Sequence, residues 1–251
     1  ALNMLLPEGE VFFVSTFQTA LGLITDARVR TDVLGFIGQE AMHSTSHQGV
    51  LDHFAAHGTD TSAFTDQARW LFRTLLGDRD LTGERARQWL IERVATIAAL
   101  EHVTSYFGNW GLNARAWDTA MESRMRDLIL WHLAEEVEHR HVAYDLYTHL
   151  HGGYFRRIRA HVAAFPTFVL LIYRGTRFMA IHDPDAPRTR LGLLRGYYRA
   201  SKRGLVPKFG DWLKMSVEYF RPDYHPSRYG STTQAVAYLA SSPAAQKAIL
   251  R

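Results

Sequence analysis

The chain of 251 residues contains no cysteine. This absence excludes disulfides, thiolate nucleophiles, thiolate zinc sites, iron–sulfur clusters and thiolate-ligated haem. It is typical of a reducing compartment, and we predict a cytoplasmic location. Long hydrophobic runs are also missing, since the longest apolar stretch, residues 163–173, has 11 residues and includes a proline. That stretch is too short to span a bilayer, so we predict that the protein is not an integral membrane protein.

Strand-like alternation is missing as well, and glycine and proline are sparse before residue 150. Apolar residues make up 47% of the chain, and they recur at helical spacing. The formal net charge of +4 is mild. Because the basic residues are not interleaved with an aromatic platform, we predict no nucleic-acid partner. The sequence therefore predicts an all-α globular protein.

The predicted organisation is a single domain over residues 1–251. A four-helix bundle occupies 1–151, and a helical extension packed on it occupies 152–251. The long helices are expected at about residues 7–24, 27–56, 84–112 and 119–150, the last one opening on a capping box of Thr119 and Glu122. Between the second and third we expect a loop at 59–66 and a shorter helix through Trp70 and Leu75. The extension is expected to contain a helix at 155–181 with a kink or boundary near Pro166, a helix ending near 204, an irregular segment at 221–226 and one short closing helix.

Histidine is unusually frequent: there are 13, and four of them fall between residues 43 and 57. The second helix carries Glu40 and His43 at i and i+3, and the fourth carries Glu136 and His139 at the same spacing. Residues three apart share one helix face, so each pair offers an oxygen and a nitrogen to one point. A single such pair is usually a surface ion pair, but two of them on long helices indicate a metal site.

The first and third helices each add one glutamate, Glu10 and Glu101. Around a turn centred near residue 25, Glu10 and Glu40 each lie 15 residues away, so they stand level on antiparallel helices. Glu101 lies in an apolar run, where a carboxylate is costly unless it is paired or bound to metal. Two ExxH helices and two single-glutamate helices form the pattern of a dimetal carboxylate site in a four-helix bundle.

In the second hairpin, formed by the third and fourth predicted helices, the candidate ligands do not stand at the same height. About a turn near residue 115, Glu101 lies about 15 residues away and Glu136 about 20, so either the fourth helix starts late or the site extends along the bundle. His132 stands on the same face as Glu136 and His139, and we predict it as a further ligand. His47, four residues after His43, is either another ligand or a residue that supports one. Glu135 and Glu138 point off this face and are expected to be solvated or ion-paired.

Several segments resemble a bacterial family described as predicted metal-dependent hydrolases. These are PEGE at 7–10, FIGQEAMHSTSH at 36–47, EHVT at 101–104, WHLAEEVEHRHVAYDLY at 131–147 and YFRPDYHP at 219–226. The resemblance covers most of the chain and implies a ferritin-like dimetal fold. The order of the ligands is also similar to that of the di-iron arylamine N-oxygenases, which use an extra histidine on the last helix. That second resemblance extends to the ligands only, and would assign Glu10, Glu40, His43, Glu101, His132, Glu136 and His139.

Carboxylate and imidazole ligands suit two iron ions, with manganese or a mixed iron–manganese pair as the alternative and zinc less favoured. Our main hypothesis is a non-haem di-iron oxidase or oxygenase that uses O2 to oxidise a small organic substrate, with an electron donor as an optional partner. One alternative is a dimetal hydrolase that uses a metal-bound hydroxide. In that case Arg174, Arg177 or His225 would serve as the general acid or would stabilise the oxyanion. Another is a metal-storage or redox-sensing protein. A homodimer is compatible with the sequence.

The substrate is expected to be apolar if the C-terminal extension covers a channel that leads to the metals. Five residues of the extension would line such a channel, and packing in a core is the commoner role of side chains of this kind. They are Phe165, Phe168, Leu170, Leu171 and Tyr173.

Overall fold

The computed structural model describes residues 1–183, 185–187 and 189–249, and within these residues the fold is all α. The first half contains α1 Leu2–Ala20, α2 Ala27–Ala56, α3 Ser62–Arg69, α4 Gly83–Leu112, α5 Trp117–Ala120, α6 Ser123–His139 and α7 Val142–His149. The second half contains α8 Tyr154–His182, α9 Arg190–Lys202, α10 Phe209–Tyr219, α11 Thr232–Ser241 and α12 Pro243–Ile249. Short 3-10 turns lie at Leu21–Leu23 and Pro226–Arg228, and a π-helical segment at Trp70–Leu75 continues α3. The predicted all-α bundle is thereby confirmed.

The α1–α2 hairpin turns where the sequence predicts it. The side chain of Asp26 caps α2 by accepting hydrogen bonds from the backbone amides of Arg28 at 2.8 Å and Val29 at 3.0 Å. Phe17 of α1 and Phe36 of α2 are fully buried, and their rings stack 4.6 Å apart. These contacts hold the two helices antiparallel, with Glu10 and Glu40 at the same level.

The α4–α6 pair is held unusually close. A Cβ atom on Gly108 of α4 would lie 2.6 Å from the carbonyl oxygen of Leu133 on α6. A glycine at this position lets the two backbones approach, because any side chain would collide with the facing helix. This contact sets the spacing between the helices that carry Glu101 and Glu136.

The prediction of one continuous fourth helix is wrong. Instead of one helix at 119–150, the chain forms α5, α6 and α7. Glu122 is the N-cap of α6 and accepts a hydrogen bond from the amide of Met125 at 2.9 Å, so the predicted capping box with Thr119 does not form. Between α6 and α7, Arg140 stays in the right-handed helical region, and its guanidinium reaches Pro226 and Thr232 of the C-terminal segment.

Two other predicted boundaries also differ. The expected loop at 59–66 is helical from Ser62, because the carbonyl of Thr61 accepts the first helical hydrogen bonds and Phe64 is buried. Of the kink or boundary expected near Pro166, the boundary is absent, since α8 runs from Tyr154 to His182 through the proline.

The C-terminal extension is richer in helices than predicted. It packs α8 on α4, and α11 and α12 on α6. The sequence prediction missed α10, and the described chain ends in two short helices rather than one. Of the irregular segment expected at 221–226, residues 221–225 lie outside the helices as predicted, and Pro226 begins the 3-10 turn. Among the described residues, we find no helix with the length and hydropathy needed to cross a membrane.

Candidate metal centre

All eight residues of the predicted metal site, counting His47, are buried in the bundle, and none is more than 5% exposed. They come from four helices, at positions that turn them to the interior: Glu10 on α1; Glu40, His43 and His47 on α2; Glu101 on α4; His132, Glu136 and His139 on α6. The structure brings the whole set together. The uneven heights in the second hairpin arise because α6 starts late, at Ser123.

One group of ligand atoms surrounds His139. Its Nε2 lies 3.3 Å from Oε2 of Glu101, 3.4 Å from Oε1 of Glu40 and 3.6 Å from Oε2 of Glu136. The four residues offer ligand atoms that all lie within 4.8 Å of one another. Three oxygens and one nitrogen at this separation suit one divalent cation.

A second group lies beside the first, around Glu10, Glu40 and His43. The Nδ1 of His43 lies 3.6 Å from Oε1 of Glu40. His132 lies beside this group: its Nε2 is 3.0 Å from Oε1 of Glu136, and it shares a further group with His43 and Glu136. Glu40 belongs to both of these groups, and Glu136 belongs to the first and to a further group with His43 and His132. Either carboxylate would therefore be able to help hold two ions.

His47 sits at the edge of this cluster. Its Nε2 lies 3.1 Å from Nδ1 of His132 and 3.5 Å from Oε1 of Glu10, while its Nδ1 lies 2.7 Å from Oδ1 of Asn3. Burial lowers the pKa of His47 well below its ordinary value, so the ring is neutral and able to ligate. Its nitrogens face Glu10, His132 and Asn3, so both roles predicted for His47 remain open.

Most of the buried atoms that could bind a metal have no hydrogen-bond partner in the protein. These are both carboxylate oxygens of Glu10, Glu40 and Glu101, together with Nδ1 of His43 and Nε2 of His139. Burial, followed by the charge of Glu40, raises the pKa of Glu10 well above its usual range. Burial and then the charge of Glu136 raise the pKa of Glu101 to about 8. Unpaired buried carboxylates are costly, and two divalent cations would balance the charge of these three together with that of Glu136. The residues present therefore fit a dinuclear metal centre.

Sequence reasoning missed the residues that orient these histidines. Oε2 of Glu135 lies 2.7 Å from Nε2 of His43, and Oε1 of Gln39 lies 3.0 Å from Nδ1 of His139. The hydroxyl of Thr104 donates to Oε2 of Glu136 at 2.6 Å. The ion-paired role expected for Glu135 is thus found, but its partner is a residue of the site. The only sequence signal was its position next to Glu136.

An apolar cavity of about 200 Å³ reaches the carboxylates of Glu10, Glu40 and Glu136. It lies between α1, α4, α8 and the π-helical segment, and its walls are mainly leucine, phenylalanine and alanine side chains. Of the five side chains proposed to line a channel, Phe168 and Leu171 do so. Leu170 is instead 54% exposed, because it points away from the bundle. Neither Phe165 nor Tyr173 is part of the described cavity lining.

Comparison with known proteins places this site in a family. A family model described as predicted metal-dependent hydrolase matches residues 1–230. The chain belongs to this family. The match includes every residue of the candidate metal centre and confirms the family resemblance of the sequence motifs. Neither the curated proteins nor the solved structures contain a match to the chain. The family description favours metal-dependent hydrolysis over the oxidation that the order of the ligands suggested.

Proposed function

We propose that the protein is a dinuclear metalloenzyme that hydrolyses a small, neutral and largely apolar ester or amide. The observation that carries this proposal is the cavity whose apolar walls end at three carboxylates of the buried ligand cluster. The family description supports a metal-dependent hydrolase as the enzyme class. The ferritin-like assignment belongs to this proposal and is supported by the order of the ligands along four bundle helices.

The chain would hold the metals through the two overlapping ligand groups. Glu101, Glu136 and His139 belong to one group, Glu10 and His43 belong to the other, and Glu40 belongs to both. A bound metal pair supplies Lewis acidity and lowers the pKa of a water molecule used for attack. Thr104 fixes one oxygen of Glu136 by its hydrogen bond of 2.6 Å. This contact would fix the carboxylate of Glu136 where it meets both the metal-binding cluster and the cavity.

The cavity lining selects the kind of substrate. Its charged members among the described residues are Glu10, Glu40 and Glu136, and the other lining residues are apolar apart from three threonines. The described lining contains no Arg, Lys or His side chain that could bind the charge of a carboxylate or phosphate substrate. An uncharged carbonyl compound with a short alkyl or aryl chain meets apolar walls instead. These walls also exclude water from the attached chain.

The mouth of the cavity lies between α8 and the π-helical segment. Ala163 and Thr167 of α8 line the cavity and are also exposed, as is Leu75 of the π segment. π-Helical turns frequently occur at functional sites, because the widened turn re-aims the side chains around it. Here the turn contributes Leu71, Phe72 and Leu75 to the cavity wall.

The test is hydrolysis of 4-nitrophenyl acetate, butyrate and octanoate by the full chain without O2. The metal-free protein is compared with protein loaded with zinc, manganese or iron(II). We expect metal-dependent release of 4-nitrophenol with the same rate in air and under nitrogen. Glu40→Gln should lower this rate by about two orders of magnitude, because it alters a carboxylate shared by both ligand groups. Equal rates with and without metal would overturn the proposal.

Oxidation with O2 is the second candidate, and a specific observation favours it. All ligand atoms are carboxylate oxygens or imidazole nitrogens, which suit iron and manganese. In addition, the described cavity lining contains no Arg, Lys or His that could stabilise a developing oxyanion. Anaerobic loading with iron(II) followed by addition of O2 separates the two functions. Rapid O2 uptake with a new visible absorption, in a protein without esterase activity, would favour oxidation.

A further inference from the structure

The helix α9 stands apart from the core of the molecule. None of its residues, Arg190 to Lys202, all in the described part of the chain, is buried. Leu191, Leu194 and Tyr198 are 57%, 61% and 59% exposed, and they lie at i, i+3 and i+7. They therefore form one apolar stripe along the helix that faces solvent. An exposed apolar stripe on a helix that contributes nothing to the core is typical of a surface that binds another protein or a membrane.

Positive charge borders this stripe on both sides. Helical spacing places Arg190 on one side and Arg195, Arg199 and Lys202 on the other. The sequence from 186 to 210 contains seven arginine and lysine residues and no aspartate or glutamate. Long basic side chains beside an apolar stripe can extend to lipid head groups while the stripe enters the acyl boundary. We refer to Leu191, Leu194, Tyr198 and the basic residues Arg190, Arg195, Arg199 and Lys202 as the α9 face.

The next helix, α10, also exposes apolar side chains on one face. Phe209, Leu213 and Val217 of α10 lie at i, i+4 and i+8 and are 75%, 59% and 57% exposed. The hydroxyl of Tyr197 donates to the carbonyl of Pro207 at 2.8 Å, which ties α9 to the segment before α10. Exposed apolar side chains are thus present on both of these consecutive helices.

We propose that the α9 face is a docking surface for an anionic lipid membrane, on which the protein lies without crossing it. Charge decides between the possible partners. A second copy would bring the same acid-free cationic segment against itself, which like-charge repulsion disfavours. An anionic bilayer offers opposite charge and an apolar layer beneath it, matching both parts of the face. The inference does not depend on which reaction the metal centre performs.

The experiment is flotation of the full chain with two kinds of vesicle. One kind is pure phosphatidylcholine, and the other contains about 30% phosphatidylglycerol. We expect binding to the second kind only, and loss of that binding at high salt because screening weakens the attraction. No binding to anionic vesicles at low salt would overturn the proposal.

Matched variants locate the surface. Arg195→Gln with Arg199→Gln should lower the vesicle partition coefficient about 25-fold, since each basic side chain near an anionic surface contributes about fivefold. Leu191→Ser with Leu194→Ser should lower it at least tenfold. The charge control is Arg28→Gln with Arg85→Gln, both exposed and outside the α9 face. The apolar control is Leu23→Ser with Leu34→Ser, which are 41% and 49% exposed.

The controls also give the proposal a way to fail. Equal losses in the α9 variants and in the controls would mean that net charge or hydrophobicity alone drives binding, which would overturn the assignment to this face. Sedimentation equilibrium tests the alternative partner. A dimer that the Leu191→Ser, Leu194→Ser variant dissociates, in a protein that does not float with vesicles, would assign the face to self-association. Tight binding of duplex DNA without vesicle binding would likewise overturn the proposal.

Discussion

Nε2 of His43 on α2 lies 2.7 Å from Oε2 of Glu135 on α6, and Nδ1 of the same ring faces Oε1 of Glu40 at 3.6 Å. The reciprocal arrangement holds on the other side, where Gln39 of α2 contacts Nδ1 of His139 on α6 at 3.0 Å. Each of the two helices thus orients a histidine of the other. Such supporting contacts fix which ring nitrogen faces the metal.

Glu135→Gln is therefore expected to weaken metal binding without removing a ligand. Loss of the carboxylate removes the charge that orients and polarises His43, and changes of this kind typically lower metal affinity about 10–100-fold. Competitive titration with a metal-binding dye measures the effect. Glu84→Gln, an exposed glutamate at the start of α4, is the control and should bind as wild type does. Unchanged affinity in Glu135→Gln would contradict the supporting role.

The grouping of the candidate ligands could be predicted from the sequence, because helical spacing alone places Glu40 with His43 and Glu136 with His139. The contact between His43 and Glu135 could not, because it depends on how α6 is rotated against α2. That rotation is determined by side-chain packing between the helices rather than by the periodicity of either one. Glu135 has no special position in its own helix, and its partner is 92 residues away.

The main errors in the predicted fold have similar causes. The helix through Pro166 persists in the context of an extension helix packed on the bundle, whereas a local rule predicts a boundary. The interruption at Arg140 coincides with side-chain contacts to Pro226 and Thr232, about 90 residues later. Both features arise from tertiary contacts, which local propensity does not encode.

Glu101→Gln is expected to separate metal binding from folding. In the metal-free protein both oxygens of Glu101 lack donors, so replacing the carboxylate by a neutral amide should not lower the melting temperature at pH 8. With metal present, the variant should lose most of the stabilisation that wild type gains, which is about 2.7 kcal/mol at a metal concentration a hundredfold above Kd. Differential scanning calorimetry with and without chelator measures both quantities. An equal gain on metal addition in both proteins would show that Glu101 is not a ligand.

Gly108→Ala tests the close approach of α4 and α6. The added Cβ would collide with the carbonyl of Leu133, so the helices must separate, at a cost of about 1–3 kcal/mol in the free energy of unfolding. Separation should also weaken metal binding, since Glu101 and Glu136 lie on these two helices. Gly35→Ala in α2 has open space around the new methyl group and should stabilise by about 0.5–1 kcal/mol. Urea denaturation gives both values, and a neutral Gly108→Ala would contradict the packing account.

We expect His161 to make the metal-free protein less stable in acid. Burial, and then the nearby Arg157, lower the pKa of His161 to about 4 from 6.5. The unfolded chain therefore binds more protons between these values, and stability that is fully present above pH 6.5 is lost as the pH falls toward 4. The loss amounts to about 3 kcal/mol for this residue. His161→Phe should reduce the slope of the free energy of unfolding against pH in this range. A variant with the wild-type slope would show that other groups cause it.

Ala164→Phe tests whether the cavity binds the apolar part of the substrate. Ala164 lines the cavity from α8, so a phenyl ring there would occupy volume between α8 and the π-helical segment. We expect unchanged metal content, a modest loss with 4-nitrophenyl acetate and a loss of about tenfold or more in kcat/KM with the octanoate, because only the longer chain needs the filled space. The control is Val162→Phe on the same helix, which is 57% exposed and lies outside the cavity lining. If both variants lose activity equally on both esters, the cavity does not determine chain length. If only Ala164→Phe discriminates by chain length, the route from α8 to Glu10, Glu40 and Glu136 is the substrate path.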